Sequence, residues 1–496
     1  MFRLGFLGVL PLLAALNPPP EPQVFHSGTR LVEVEVVVRD KNGPVKNLTK
    51  DDFTVLDQGK PQAIAIFRSA TTRGAESVPL PPGTVSNRQD SRGRPLEGAT
   101  VVLLDQLNTR FDLKAYQRTE IIKFLRALSE TDRIALYSLG KDLHILQDFT
   151  TDPKELIDAV AKLDRGLDLL PANLDVVLGE YPPINEPLDC ANATGVLLMA
   201  CTQTAVNAGI HDNITVEALK RIIRHLSGVP GRKNLVWVKE SLQIPPAILA
   251  MAAQANIALY PVLVRTVVVG NPFRPGPDFM AIQHAVRDLA ATTGGAGFGD
   301  AADLKTAVRT AEEDAENVYT LGYYPVEEAL DGTFHRIVVK LSGKELSSRH
   351  IEVRYRPGYL ATKSTQLAAG PSLDELMETP LDATAIGLAA QAVADPEHAA
   401  SYRLRITVDL RDVHLDREEG HYLGALDMSF LLPGSRSVRT VAMRVDIPEA
   451  QFAQAIEGGY AVNVSGVNAP PGEIQVVVRD RATGAAGSLR IPLARQ

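Results

Sequence analysis

The run VVLLDQLNT, Val101 to Thr109, is an apolar stretch that ends in an acid and is followed by two short polar residues. An aspartate at the C-terminal end of a buried parallel strand stands where open α/β sheets place their ligand sites. Asp105 is therefore the first candidate for chemistry, with Gln106, Asn108, Thr109 and Arg110 in the loop behind it. Carboxylate, amide and hydroxyl oxygens suit hard divalent cations such as Mg2+ or Mn2+. Lys239 and Glu240 follow a second apolar run, NLVWV, and bring one charge of each sign.

The other reactive residues form no catalytic constellation. Ten histidines are scattered, with no His-Glu-x-x-His pair, and the chain has no Gly-x-Ser-x-Gly elbow and no phosphate-cradling loop. Gly294-Gly295-Ala296-Gly297 reads as a turn between helices, Trp237 as core, and His211 and Asp212 as polar residues of a surface loop. Asn47, Asn192, Asn213 and Asn463 lie in glycosylation-type tripeptides that read as chance matches. Cys190 and Cys201, the only cysteines, are close in sequence, and in an oxidising compartment they read as a disulfide clipping an irregular loop.

Composition bounds the setting. At 496 residues the chain is too long for one core. A net charge of -8 without a long basic cluster argues against a nucleic-acid partner. Met1 to Leu16 has a short basic head and an apolar run too short to span a bilayer comfortably. Residues 1–22 therefore read as a secretory signal, after whose removal no stable membrane span remains, and the location as secreted or periplasmic.

The elements that must position Asp105 follow from periodicity. Val32, Val34, Val36 and Val38 alternate with polar residues as in a half-buried strand, and 24–70 reads as β-structure with too few strands to stand alone. Residues 71–99, rich in Pro, Gly, Ser and Arg, read as a linker. From 100 to 317 strands and helices alternate, which predicts a mostly parallel sheet with helices on both faces. Within it, 165–213 reads as an insertion holding the cysteines, followed by a helix starting near Thr215. Strand signatures return at 318–360 and either complete the N-terminal segment as a split β-sandwich or form a separate module. A second linker is expected over 361–395 and a further β-sandwich over 396–496.

The phrases NGPVKNLTKDDFTVLDQGKPQ, VVLLDQLNT, DRIALYSLG, LQDFTTDP, VPGRKNLVWV, YTLGYYP, FHRIVVKL and VRYRPGY occur in an order that resembles the von Willebrand factor A-related proteins abundant in acidobacteria, over roughly residues 24 to 360. The resemblance implies a Rossmann-like α/β domain flanked by all-β sandwich-like domains. It also implies a divalent-cation site built from an Asp-x-Ser-x-Ser motif, a Thr from a second loop and an Asp from a third, whose open position takes a carboxylate of the partner. Asp105 matches the first Asp and Thr109 the second Ser, but Leu107 stands at the first Ser and supplies no oxygen. Thr202, Thr204 and Thr215 are the candidates for the loop Thr, with helix N-cap as an alternative role for Thr215. Lys239 and Glu240 stand where the third acid is usual.

These features give an expected metal set of Asp105, Asn108, Thr109, Thr215 and Glu240, degenerate at Leu107 and Lys239. The expected partner-binding rim is Gln106, Asn108, Arg110, Asp212 and Lys239. The leading expectation is a protein-binding or adhesion module and not an enzyme. The alternatives are a hydrolase or catalytic accessory using Asp105 or Glu240, and a structural envelope protein with no specific ligand.

Overall fold

The computed structural model describes residues 32–69, 80–89, 98–109, 111–128, 133–162, 195–229, 231–240, 244–264, 277–300, 303–325, 333–342, 351–361, 372–379, 381–394 and 401–493. In chain order, the first strands are β1 (Val32–Asp40), β2 (Gly43–Pro44), β3 (Phe53–Asp57), β4 (Lys60–Gln62), β5 (Ile64–Ser69) and β6 (Thr84–Ser86). The α/β region follows as β7 (Ala99–Asp105), α1 (Phe111–Leu125), β8 (Ile134–Leu139), β9 (Leu143–Thr150), α2 (Pro153–Lys162) and α3 (Gly195–Ser227). It continues as β10 (Lys233–Lys239), α4 (Pro246–Gln254), β11 (Ile257–Leu263), α5 (Pro277–Ala291) and α6 (Leu304–Glu316). After it come β12 (Val318–Tyr323), β13 (Phe334–Leu341), β14 (Glu352–Arg354), β15 (Gly358–Leu360) and α7 (Leu373–Glu378). The C-terminal region holds β16 (Leu388–Ala394), β17 (Ser401–Val408), β18 (Asp416–Glu418), β19 (His421–Leu431), β20 (Val438–Pro448), α8 (Glu449–Gly458), β21 (Tyr460–Asn468), β22 (Gly472–Asp480) and β23 (Ala486–Leu493).

The α/β region is organised around one sheet of order β11-β10-β7-β8-β9. The first four strands run parallel, and β9 returns antiparallel at the edge. Every residue of β7, β8, β10 and β11 is buried, as expected of strands covered on both faces. Alternation sorts them. Val101, Leu103, Leu235 and Trp237 face α3 and α4, while Val102, Leu104, Val236 and Val238 face the cluster that contains Leu113, Ile121 and Val308 of α1 and α6.

The segments on either side of this region share sheets. β1 pairs with β12 and β14, β5 pairs with β12, and β3 pairs with β13, all antiparallel. The alternating valines of β1 meet Phe53, Tyr319, Leu321 and Ile337 in one core. The β3–β4 turn holds Gln58 and Gly59 at φ 48° and 79°, so glycine at its second position removes the strain a side chain would meet there. In the C-terminal region one sheet has order β21-β17-β16-β6, and a second contains β18, β19, β22 and β23 with β20 on β19. Both contribute to one apolar core.

Three expected boundaries need correction. The linker expected over 71–99 contains β6, which pairs with β16. Asn87 beyond it donates to the carbonyls of Ala383 and Ile386 at 2.8 and 2.9 Å, so this segment is stitched into the C-terminal region. The linker expected over 361–395 holds α7 and β16. The insertion expected over 165–213 ends inside α3, which begins at Gly195, some twenty residues before the predicted helix start near Thr215. The stretch TQTAVNAGIHDN lacks a clear apolar stripe, so its helicity comes from continuity with the packed part of α3.

Two polar clusters dock the flanking regions onto the α/β region. Asp314 of α6, fully buried, accepts from Arg39 at 2.8 Å, Arg354 at 3.1 Å and the Tyr260 hydroxyl at 2.6 Å. Buried Arg232 donates to Tyr260 at 3.0 Å and to the Gly294 carbonyl at 2.8 Å. At the C-terminal end of α3, Gly228 N–H donates to Thr384 Oγ1 at 2.9 Å, and His225 Nδ1 lies 2.6 Å from the Asp382 carbonyl. Gly228 is required there, because a Cβ would stand 1.5 Å from the Thr384 carbonyl oxygen. The Gly228 and Arg232 contacts lie beside the first residues of β10, at the edge of the sheet opposite Asp105. Among the described residues no helix is long and apolar enough to cross a membrane.

Candidate functional site

Asp105 ends β7, the central strand from which the chain crosses to β8 on one side while β10 lies on the other. That is the point at which open sheets leave a crevice at their C-terminal edge. Period-2 alternation puts Asp105 on the face of Val101 and Leu103, together with Leu235, Trp237 and Lys239 of β10. Helix α3 covers this face through Ala218, Leu219 and Ile222. The carboxylate and the lysine are thereby sealed in, Asp105 0% and Lys239 2% exposed.

Donors converge on the carboxylate. Asn108 N–H donates to Oδ1 at 2.9 Å, Asn108 Nδ2 lies 3.0 Å from both Oδ1 and Oδ2, and Trp237 Nε1 donates to Oδ2 at 3.3 Å. Asn108 Nδ2 also donates to Thr215 Oγ1 at 3.0 Å. Three oxygens around one nitrogen set the amide's orientation, since the reversed amide would aim its oxygen at a carboxylate. Thr215 Oγ1 donates in turn to the His211 carbonyl at 2.8 Å. Lys239 Nζ lies 3.8 Å from the Trp237 ring centroid, a cation–π contact beneath the same carboxylate.

Burial raises the Asp105 pKa above its ordinary value, opposed by the Asn108 hydrogen bonds and the Lys239 charge. The Lys239 ammonium is pushed down to about 8, with desolvation outweighing the attraction of Asp105 and Asp212. Both directions follow from taking a charged pair out of water.

The expected residues therefore divide. Asp105, Asn108 and Thr215 come together, and Lys239 joins them as a buried counter-charge rather than as an exposed rim residue. Thr215 lies inside α3 and is not a helix N-cap. The Thr109 hydroxyl turns back to the Asp105 carbonyl instead of forward as a ligand. Leu107, where the resemblance implies a Ser, packs against the apolar core. Gln106 is drawn inward, its amide donating to Gln117, whose own amide donates to the Val238 carbonyl at 3.2 Å. Asp212 is exposed and Glu240 half-buried. Arg110 and Cys190 lie outside the described residues, as do the side chains of Cys201, Thr202 and Thr204.

A divalent cation does not fit this donor set. It needs several convergent oxygens, and the point where Asp105 and Thr215 converge holds an NH2 group, with an ammonium nearby. Among the described residues no three His, Cys, Asp or Glu side chains are grouped to hold a metal. Sequence reasoning missed Trp237 and Gln117 as polar partners of the loop. For Trp237 the signal was available, because residues 101, 103 and 105 and residues 235, 237 and 239 alternate in step on adjacent strands.

No protein-family model matches the chain and no curated protein matches it. Among solved structures the chain is similar to an aerotolerance-related membrane protein from Bacteroides fragilis, at 11% identity over 44% of this chain and 98% of that one, with a TM-score of 0.24. It is similar to the conserved hypothetical protein BatB from Bacteroides thetaiotaomicron, at 12% identity over 45% and 100%, with a TM-score of 0.24. A von Willebrand factor type A protein from Catenulispora acidiphila is similar at 11% identity over 94% and 74%, with a TM-score of 0.22.

Proposed function

We propose that the chain is an exported protein-binding module of von Willebrand factor A type that recognises a protein partner through the C-terminal edge of the β11-β10-β7-β8-β9 sheet. The observation that carries this reading is the placement of Asp105 and its loop at the switch point of that sheet, with the docking contacts at Gly228 and Arg232 on the opposite edge. The flanking β regions then act as sandwich-like platforms that hold the edge outward.

The exposed contact residues are on α3. Ile210 is 51% exposed five residues before Thr215, and Asp212 is exposed between them. An exposed apolar residue and an exposed charge on a helix at a ligand edge suit recognition of a protein surface. Asp105 is buried with both oxygens engaged, which favours recognition over an acid or base role for this carboxylate. The test is capture from envelope extract by wild type and by the variant Ile210→Asp with Asp212→Lys. Loss of one specific partner with an unchanged melting profile is the expected result. Unchanged capture refutes the assignment of this edge.

A further inference from the structure

We propose that Asn108 and Lys239 together replace a divalent cation at the end of β7, so that the edge is organised without metal, and that removing them converts the same oxygens into a cation site. The geometry is that of a substituted centre. One nitrogen, Asn108 Nδ2, stands 3.0 Å from Asp105 Oδ1, 3.0 Å from Asp105 Oδ2 and 3.0 Å from Thr215 Oγ1, joining the loop after β7 to helix α3. A bound cation would make the same bridge with oxygens on two elements. An amide nitrogen supplies the hydrogen bonds of that bridge but no full positive charge.

The charge comes from the next strand. Lys239, 2% exposed, acts electrostatically on Asp105 from above the Trp237 ring, and the Trp237 Nε1–H adds a fourth donor contact to the carboxylate. Amide, ammonium and indole thus divide between them the bridging and neutralising roles of a metal ion. Leu107, in the same loop, packs against the apolar core and offers no oxygen to a cation. The resulting loop is held in one arrangement by groups that cannot dissociate, so its order does not depend on metal concentration.

The experiment uses the full chain and Mn2+ as the probe, with binding read by electron paramagnetic resonance and unfolding by Trp237 fluorescence. Wild type is expected to show no Mn2+ binding at millimolar metal and the same midpoint in Mn2+ and in chelator. The double variant Asn108→Ser with Lys239→Met leaves the oxygens of Asp105, Thr215 and the new serine facing one another without the opposing charge. It is expected to bind Mn2+ at least tenfold more tightly than wild type and to gain midpoint on adding it. Should that variant fail to fold without metal, Asn108→Asp alone supplies the second measurement. It sets two carboxylates about one hydrogen-bond length apart and should have a lowered midpoint that Mn2+ restores. Mn2+ binding by wild type overturns the proposal, and so does a folded variant that is indifferent to Mn2+.

Discussion

Replacing Asp105 with alanine tests whether the carboxylate is the internal partner of Lys239. The change leaves the Asn108 N–H and the Trp237 indole without their acceptor, leaves the Asn108 amide only its bond to Thr215, and removes the buried charge that most stabilises the 2% exposed ammonium. Removing one member of a buried pair of opposite charges costs about 3–5 kcal/mol. The orphaned donors belong to the same coupled loss and are not added to it. With a urea m-value of about 2 kcal/mol per molar, the midpoint should fall by roughly 1.5–2.5 M. Trp237 is the only tryptophan, so its fluorescence follows the α/β region even if the flanking regions unfold separately. The loss should persist in high salt, because a buried pair is little screened. It should shrink between pH 7 and pH 9, since Lys239 loses its proton near 8 and a neutral amine needs no counter-charge. A loss below about 1 kcal/mol at pH 7, or one indifferent to pH across that range, refutes the pairing.

Lys239 also sets a pH dependence of its own. Its folded pKa of about 8 lies below the ordinary 10.5, so between those values the unfolded chain binds more protons, and this group makes stability rise with pH by up to about 1.4 kcal/mol per unit. Subtracting the pH profile of Lys239→Met from that of wild type should isolate this rise, and a flat difference would contradict it. Asp314→Ala removes the buried acceptor shared by Arg39, Arg354 and Tyr260, leaves Arg39 only Glu313, and should cost about 3–5 kcal/mol, read as a lowered unfolding midpoint. Gly228→Ala drives a Cβ onto the Thr384 backbone, which no rotamer relieves, and should cost at least about 1–3 kcal/mol in a calorimetric melt. Tyr323→Phe removes the buried hydroxyl that donates to Asp57 at 2.9 Å and should cost about 1.5–3 kcal/mol by urea unfolding.

The sequence by itself determined the local alternatives. Apolar runs of β length separated by amphipathic stretches specify buried strands alternating with helices, and they place Asp105 at the end of one such strand. The valines of β1 declare which side of that strand is buried. Periodicity says nothing of partners, however. The pairing of Val32 with Tyr323 joins residues almost three hundred positions apart, and that of β6 with β16 draws a Pro- and Gly-rich segment into a distant sheet. Both are decided by which distant strand edges are free to pair in the packed chain, which local periodicity does not encode.

The site shows the same division. Asp105, Asn108 and Thr215 were legible as oxygen-bearing candidates, but a list of residue types cannot say which atom of an amide faces a carboxylate. A lysine at the end of a strand reads as solvated until α3 is seen to cover its face. Burial beneath that helix is what turned Lys239 from a rim residue into a counter-ion and Thr215 from a cap into a bridge. Charge, hydrogen-bond direction and desolvation all depend on what lies within a few ångströms, and only the packed chain supplies those neighbours.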